Sequence, residues 1–63
     1  MGIVSKEING ILYEAEYSVA DGIVTVYGDS GHKSTQLGGM KEESLAKILL
    51  SHLIREDKVD PTQ

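Results

Sequence analysis

No cysteine, phenylalanine or tryptophan occurs in this 63-residue chain, and there is a single proline. The missing cysteine rules out a disulfide framework and thiolate metal ligation, and leaves the redox compartment open. The missing large aromatics confine any core to aliphatic side chains and three tyrosines, Tyr13, Tyr17 and Tyr27. Burying one large aliphatic side chain contributes roughly 1.5 to 3 kcal/mol, against an ordering cost of roughly 1.5 kcal/mol for every residue. A chain of this length is therefore one marginal domain, for which self-association is the default expectation.

Long apolar runs are also missing: none approaches the roughly 18 residues of a membrane span, and the N-terminus lacks the basic start and apolar stretch of a signal peptide. The simplest expectation is a soluble cytoplasmic protein with no membrane partner. Met1-Gly2 invites N-myristoylation, but that motif wants Ser or Thr where the chain has Lys6. Positive charge is sparse, with six Lys and Arg against ten Asp and Glu and a formal net charge of −4. The basic residues Lys6, Lys33, Lys41, Lys47, Arg55 and Lys58 are scattered, which argues against a nonspecific phosphate-binding surface.

Two dipeptides punctuate the first half, Asn9-Gly10 and Asp21-Gly22, both signals for two-residue hairpin turns. A two-residue loop at Asp21-Gly22 pairs Ala20 with Ile23, Val19 with Val24 and Tyr17 with Val26, which keeps apolar partners on one side. The preceding strand alternates, with Ile11, Tyr13, Ala15, Tyr17 and Val19 on the apolar face and Leu12, Glu14, Glu16 and Ser18 opposite, where Leu12 alone breaks the pattern. The same reasoning at Asn9-Gly10 pairs Ile8 with Ile11, Lys6 with Tyr13 and Val4 with Ala15. A turn centred on Asp29-Ser30 pairs Tyr27 with His32 and Val26 with Lys33, and predicts a polar fourth strand running to Leu37. Its inward-directed Lys33 suits an edge strand protected against further pairing, and Gly28 and Gly31 are expected to supply φ freedom where the chain reverses.

Gly38-Gly39 then breaks the sheet, and "MKEESLAKILLSHLIRED" predicts one helix from residue 40 or 41 to residue 56, capped by Gly39. Glu42 and Glu43 at its start and Arg55 and Lys58 near its end complement the helix dipole. Residues 57–63 hold Pro61 and little apolar material, so they are expected to be a disordered tail after a single domain of residues 1–56. At about 100° per residue, the apolar helix positions span an arc of roughly 240°, more than one sheet face needs. The surplus predicts a homodimer, with Leu50 and Ile54, or Ile48 on the opposite flank, at its contact.

Residues 28–35, "GDSGHKST", come closest to known chemistry. Trypsin-like proteases carry their nucleophile in Gly-Asp-Ser-Gly-Gly, but His32 stands where the second Gly belongs, and a chain this short has no room for the barrels that supply base and oxyanion hole. The Gly-x-Ser-x-Gly elbow of α/β-hydrolases fails on spacing. The phosphate loop fails because His32 separates Gly31 from Lys33 and no helix follows. His32 and His52 lie in different elements without ligand-type partners, so no metal or other cofactor is expected. The one constellation that invites a test is an outward-facing surface cluster of Glu14, Glu16, Tyr27, His32 and Ser34, which a solvated sheet face explains about as well.

The segments "GILYEAEYSV", "DGIVTVYG", "KSTQLGG" and "LAKILLSHLI" resemble a group of short, uncharacterised bacterial proteins built as a small β-meander followed by one helix. The likeness covers about residues 8–55, on the Tyr-x-Ala-x-Tyr strand, the Gln-Leu-Gly-Gly junction and the Leu-Ala-x-x-Leu-Leu helix. It implies a homodimeric α+β fold and supplies no catalytic residues. The expected architecture is an antiparallel β-meander of three to four strands, with one C-terminal helix packed on one sheet face. The expected function is a homodimeric protein-interaction module without catalytic activity. A DNA-associated transcriptional regulator or toxin-antitoxin component is the alternative, against which the acidic outward residues weigh because they repel phosphates.

Overall fold

The computed structural model describes residues 2–62. Four strands, β1 (Gly2–Ile8), β2 (Ile11–Ala20), β3 (Ile23–Tyr27) and β4 (His32–Gln36), form an antiparallel meander in chain order, and one helix, α1 (Glu42–Arg55), packs on it. This is the expected α+β arrangement, with the first strand fully formed. Asn9 and Gly10 have φ of 53° and 81°, and Asp21 and Gly22 have 53° and 75°. Positive φ at both central residues gives the primed turn whose twist matches the flanking strands. The register follows: Ile8 opposes Ile11, Val4 opposes Ala15, Val19 opposes Val24, and Tyr27 opposes His32.

The strands place Val4, Ala15, Val24 and Val26 on the face that meets α1, where Leu45, Ala46, Leu49, Leu50 and Leu53 complete the core. Tyr13, Tyr17, Val19, Leu37 and Ile54 pack around its margin. Small Ala46, fully buried, lets the helix approach the sheet closely. The helix begins later than the sequence suggests, with Lys41 rather than Gly39 at the N-cap and no side-chain capping bond. Gly38, at φ 62°, makes the reversal that leads into it.

Two expectations are overturned here. Residues 57–62 are not a disordered tail: Val59 is buried in the core, Lys58 N–H donates to Leu53 C=O at 2.9 Å, and Thr62 N–H donates to Leu12 C=O at 2.8 Å. One valine placed in the core, with backbone hydrogen bonds on either side, is enough to seat a segment whose composition looks too polar to fold. Gln63, the last residue of that predicted tail, lies outside the described residues. Leu50 is the second: it is 0 % exposed in the core, so it is no surface contact. One twisted sheet, with Val59 at its margin, covers the arc from Leu45 to Leu50, and Ile54 packs half-buried beside it. Of the predicted contact residues only Ile48 stands out from the helix, 44 % exposed.

Candidate functional site

Because side chains alternate along a strand, the neighbours of the core residues project from the face that α1 does not cover. One row across that outward face reads Ile3, Glu16, Tyr27, His32, each opposite the next in the ladder. Glu14 lies beside it, opposite Ser5. The β2–β3 ladder ends at the Glu16–Tyr27 pair while β2 extends back to Ile11. Where β3 leaves β2, a groove of about 340 Å³ opens, lined by Ile3, Glu14, Ala15, Glu16, Tyr27, Gly28 and Asp29.

The groove has apolar flanks and an acidic lining. Ile3 is 65 % exposed and Tyr27 46 %. Tyr27 Oη shares a 3.0 Å hydrogen bond with Ser18 Oγ, which anchors the far end of the ring. His32 stands beside it, with ring centroids 6.3 Å apart. Among the described residues, the lining includes the acidic Glu14, Glu16 and Asp29 and no Lys or Arg. The alternation that places Glu14 outward sends both sheet lysines inward, Lys6 opposite Tyr13 and Lys33 opposite Val26. Each edge strand thus carries an inward lysine, a device that discourages edge-to-edge pairing. Lys33 Nζ lies 2.8 Å from Glu56 Oε2 and ties β4 to the end of α1. The hydrogen bond from Lys33 holds the Glu56 carboxyl below its ordinary pKa, and the charges of Lys33, Lys58 and His52 act in the same direction.

The "GDSG" stretch has a structural task. Asp29 and Ser30 N–H both donate to the Lys58 carbonyl, at 2.8 and 3.1 Å, and Asp60 N–H donates to Asp29 Oδ2 at 2.7 Å. Gly28 and Gly31 do not adopt positive φ, contrary to the expectation for this turn. They are small because residue 58 lies against them: a Cβ on Gly28 would come within 2.6 Å of the Lys58 carbonyl oxygen. The loop is a cradle for the C-terminal segment.

Of the predicted cluster, Glu14, Glu16 and Tyr27 meet in the groove. His32 stands beside it next to Tyr27, and Ser34 lies one row farther along the same outward face, outside the groove, sharing a 2.8 Å hydrogen bond with Thr25 Oγ1. Sequence reasoning missed Ile3 and Asp29. Ile3 is recoverable, since a register that puts Val4 inward puts Ile3 outward. Asp29 is not, because its place in the lining depends on the path of the loop. Among the described residues, no group of three or more His, Asp or Glu side chains is placed to hold a metal ion, and no helix is long and apolar enough to cross a membrane. Comparison with protein-family models, with curated proteins and with solved structures returns no match.

Proposed function

We propose that this is a small non-catalytic protein-interaction module of the cytoplasm, whose contact surface is the outward face of the sheet. The observation that carries the reading is the groove between Ile3 and Tyr27, open on a face that no helix or strand among the described residues covers. Exposed aromatic and aliphatic side chains beside a concavity are the usual anchors of protein contacts. The loop that most resembles an enzyme motif is occupied in holding the C-terminal segment, which supports a reading without catalysis. A photo-crosslinking residue at Thr25, on the outward face, should trap one discrete partner in cells of the source, and the same probe at Lys47 on the helix should not. Equal trapping from both positions would refute the assignment of the face.

Homodimerisation is the second reading, and Ile48 is the observation that favours it. A stable interface buries about 1,000 Å² or more, which one exposed isoleucine flanked by Ile54 is far from supplying. Light scattering across a concentration series tests it: a constant monomer mass removes the dimer. The DNA-associated alternative lacks an electrostatic basis on the outward face, where carboxylates offer no counterion release. A mobility shift at physiological salt would revive it.

A further inference from the structure

We infer that the groove receives an arginine side chain presented by a partner protein, an inference that rests on the outward face being the contact surface. Three features converge on that chemistry. Glu14, Glu16 and Asp29 line the groove with no lysine or arginine among the described lining residues, and of the three only Asp29 has a partner, the Asp60 amide at 2.7 Å, so the two glutamates leave the site electrostatically incomplete. Tyr27 supplies an exposed ring whose hydroxyl is held by Ser18, a fixed surface for stacking a flat cation. Ile3, across Glu16 from Tyr27, offers an apolar flank for an aliphatic stem. A guanidinium combines a planar face for the ring with a fork of donors for carboxylates, whereas an ammonium is a compact, strongly hydrated point charge.

A second copy of the chain fits this site poorly. Two-fold pairing centred on the groove would bring the acidic lining of one copy against that of the other, a like-charge contact that opposes association. Arg55 on the helix of another copy has the right chemistry, but that head-to-tail contact would build rings or open chains of the protein alone, an outcome the test below reads directly. The occupant is therefore a different protein with an exposed arginine.

The probes are three acetylated and amidated hexapeptides that alternate threonine with arginine, with lysine or with glutamate, titrated into the isotope-labelled full chain and followed by amide chemical shifts. The arginine peptide should give saturable shifts centred on Ile3, Glu14, Glu16, Tyr27 and Asp29, the lysine peptide weaker binding, and the glutamate peptide none. Glu14→Gln with Glu16→Gln should weaken the arginine peptide about tenfold, the sum expected of two exposed ion pairs. Tyr27→Leu should erase the preference for arginine over lysine, and Glu42→Gln with Glu43→Gln on the helix should change nothing. Shifts mapping to α1, an equal response to the glutamate peptide, undiminished binding by the Glu14/Glu16 double variant, no saturable binding at all, or rings or open assemblies formed by the protein alone would each overturn the inference. A face that crosslinks a partner through Thr25 yet rejects the arginine peptide refutes this inference and leaves the interaction reading standing. A chain that crosslinks nothing through Thr25 removes that reading itself.

Discussion

Gly28 lies against Lys58 so closely that a Cβ on residue 28 would stand 2.6 Å from the Lys58 carbonyl oxygen. The Asp29 and Ser30 amides hold that oxygen in place, so it cannot retreat. Gly28→Ala is therefore expected to cost about 1–3 kcal/mol, the range for overfilling a well-packed site, read as a lower urea midpoint. At Gly31 the obstacle is the Lys58 side chain, with Cδ at 2.7 Å. A flexible stem can turn aside, so Gly31→Ala should cost much less. Equal losses at the two positions would contradict the cradle.

The same contact makes Val59 part of the core. Val59→Ala should lower stability by about 1–3 kcal/mol, the cost of deleting buried methyl groups and leaving part of the space empty. Thr62→Ala, at an exposed position whose backbone bond to Leu12 survives the change, should stay within about 0.5 kcal/mol of the parent. Hydrogen exchange gives an independent reading, because the Lys58 amide, bonded to the Leu53 carbonyl, should be protected from solvent. An Lys58 amide exchanging at the free-peptide rate would restore the disordered tail.

The meander was legible because its information is local. Asn9-Gly10 and Asp21-Gly22 set turn type, turn type sets register, and register with alternation assigns every strand residue to a face. Glu14, Glu16 and Tyr27 followed from that assignment alone. The failures lie where distant segments meet. Nothing in residues 57–63 announces that Val59 closes the core, and nothing in "GDSG" announces that its glycines make room for residue 58. The apolar arc of the helix is plain in its periodicity, but the area a twisted sheet and a returning tail cover is not.

Leu50 and Ile48 separate fold from association. Leu50 is wholly buried and Ile48 stands in solvent. Leu50→Ala should cost about 2–5 kcal/mol, a large share of the roughly 5–15 kcal/mol that a small domain has. Leu50→Asp should leave the chain unfolded. Ile48→Ser should leave the thermal midpoint nearly unchanged, as expected for an exposed position. A folded, monomeric Leu50→Asp protein derived from a dimeric parent would show instead that Leu50 belongs to an interface.

Glu56 and Lys33 join the end of α1 to the edge strand, and their coupling has a definite pH signature. The folded pKa of Glu56 lies below its unfolded value, so its stabilising contribution is complete above the ordinary glutamate range and is lost as pH falls through the depressed folded value. Comparing the parent with Glu56→Gln cancels the titration of the other carboxylates. Above about pH 5, where a glutamate side chain is ionised in either state, the parent should melt higher than the variant, by a small margin because the pair is exposed and salt screens it. As the solution is acidified below that range, the two melting temperatures should converge, and added salt at neutral pH should bring them together in the same way. A difference that persists in acid would mean that the glutamate acts through packing or geometry rather than through its charge.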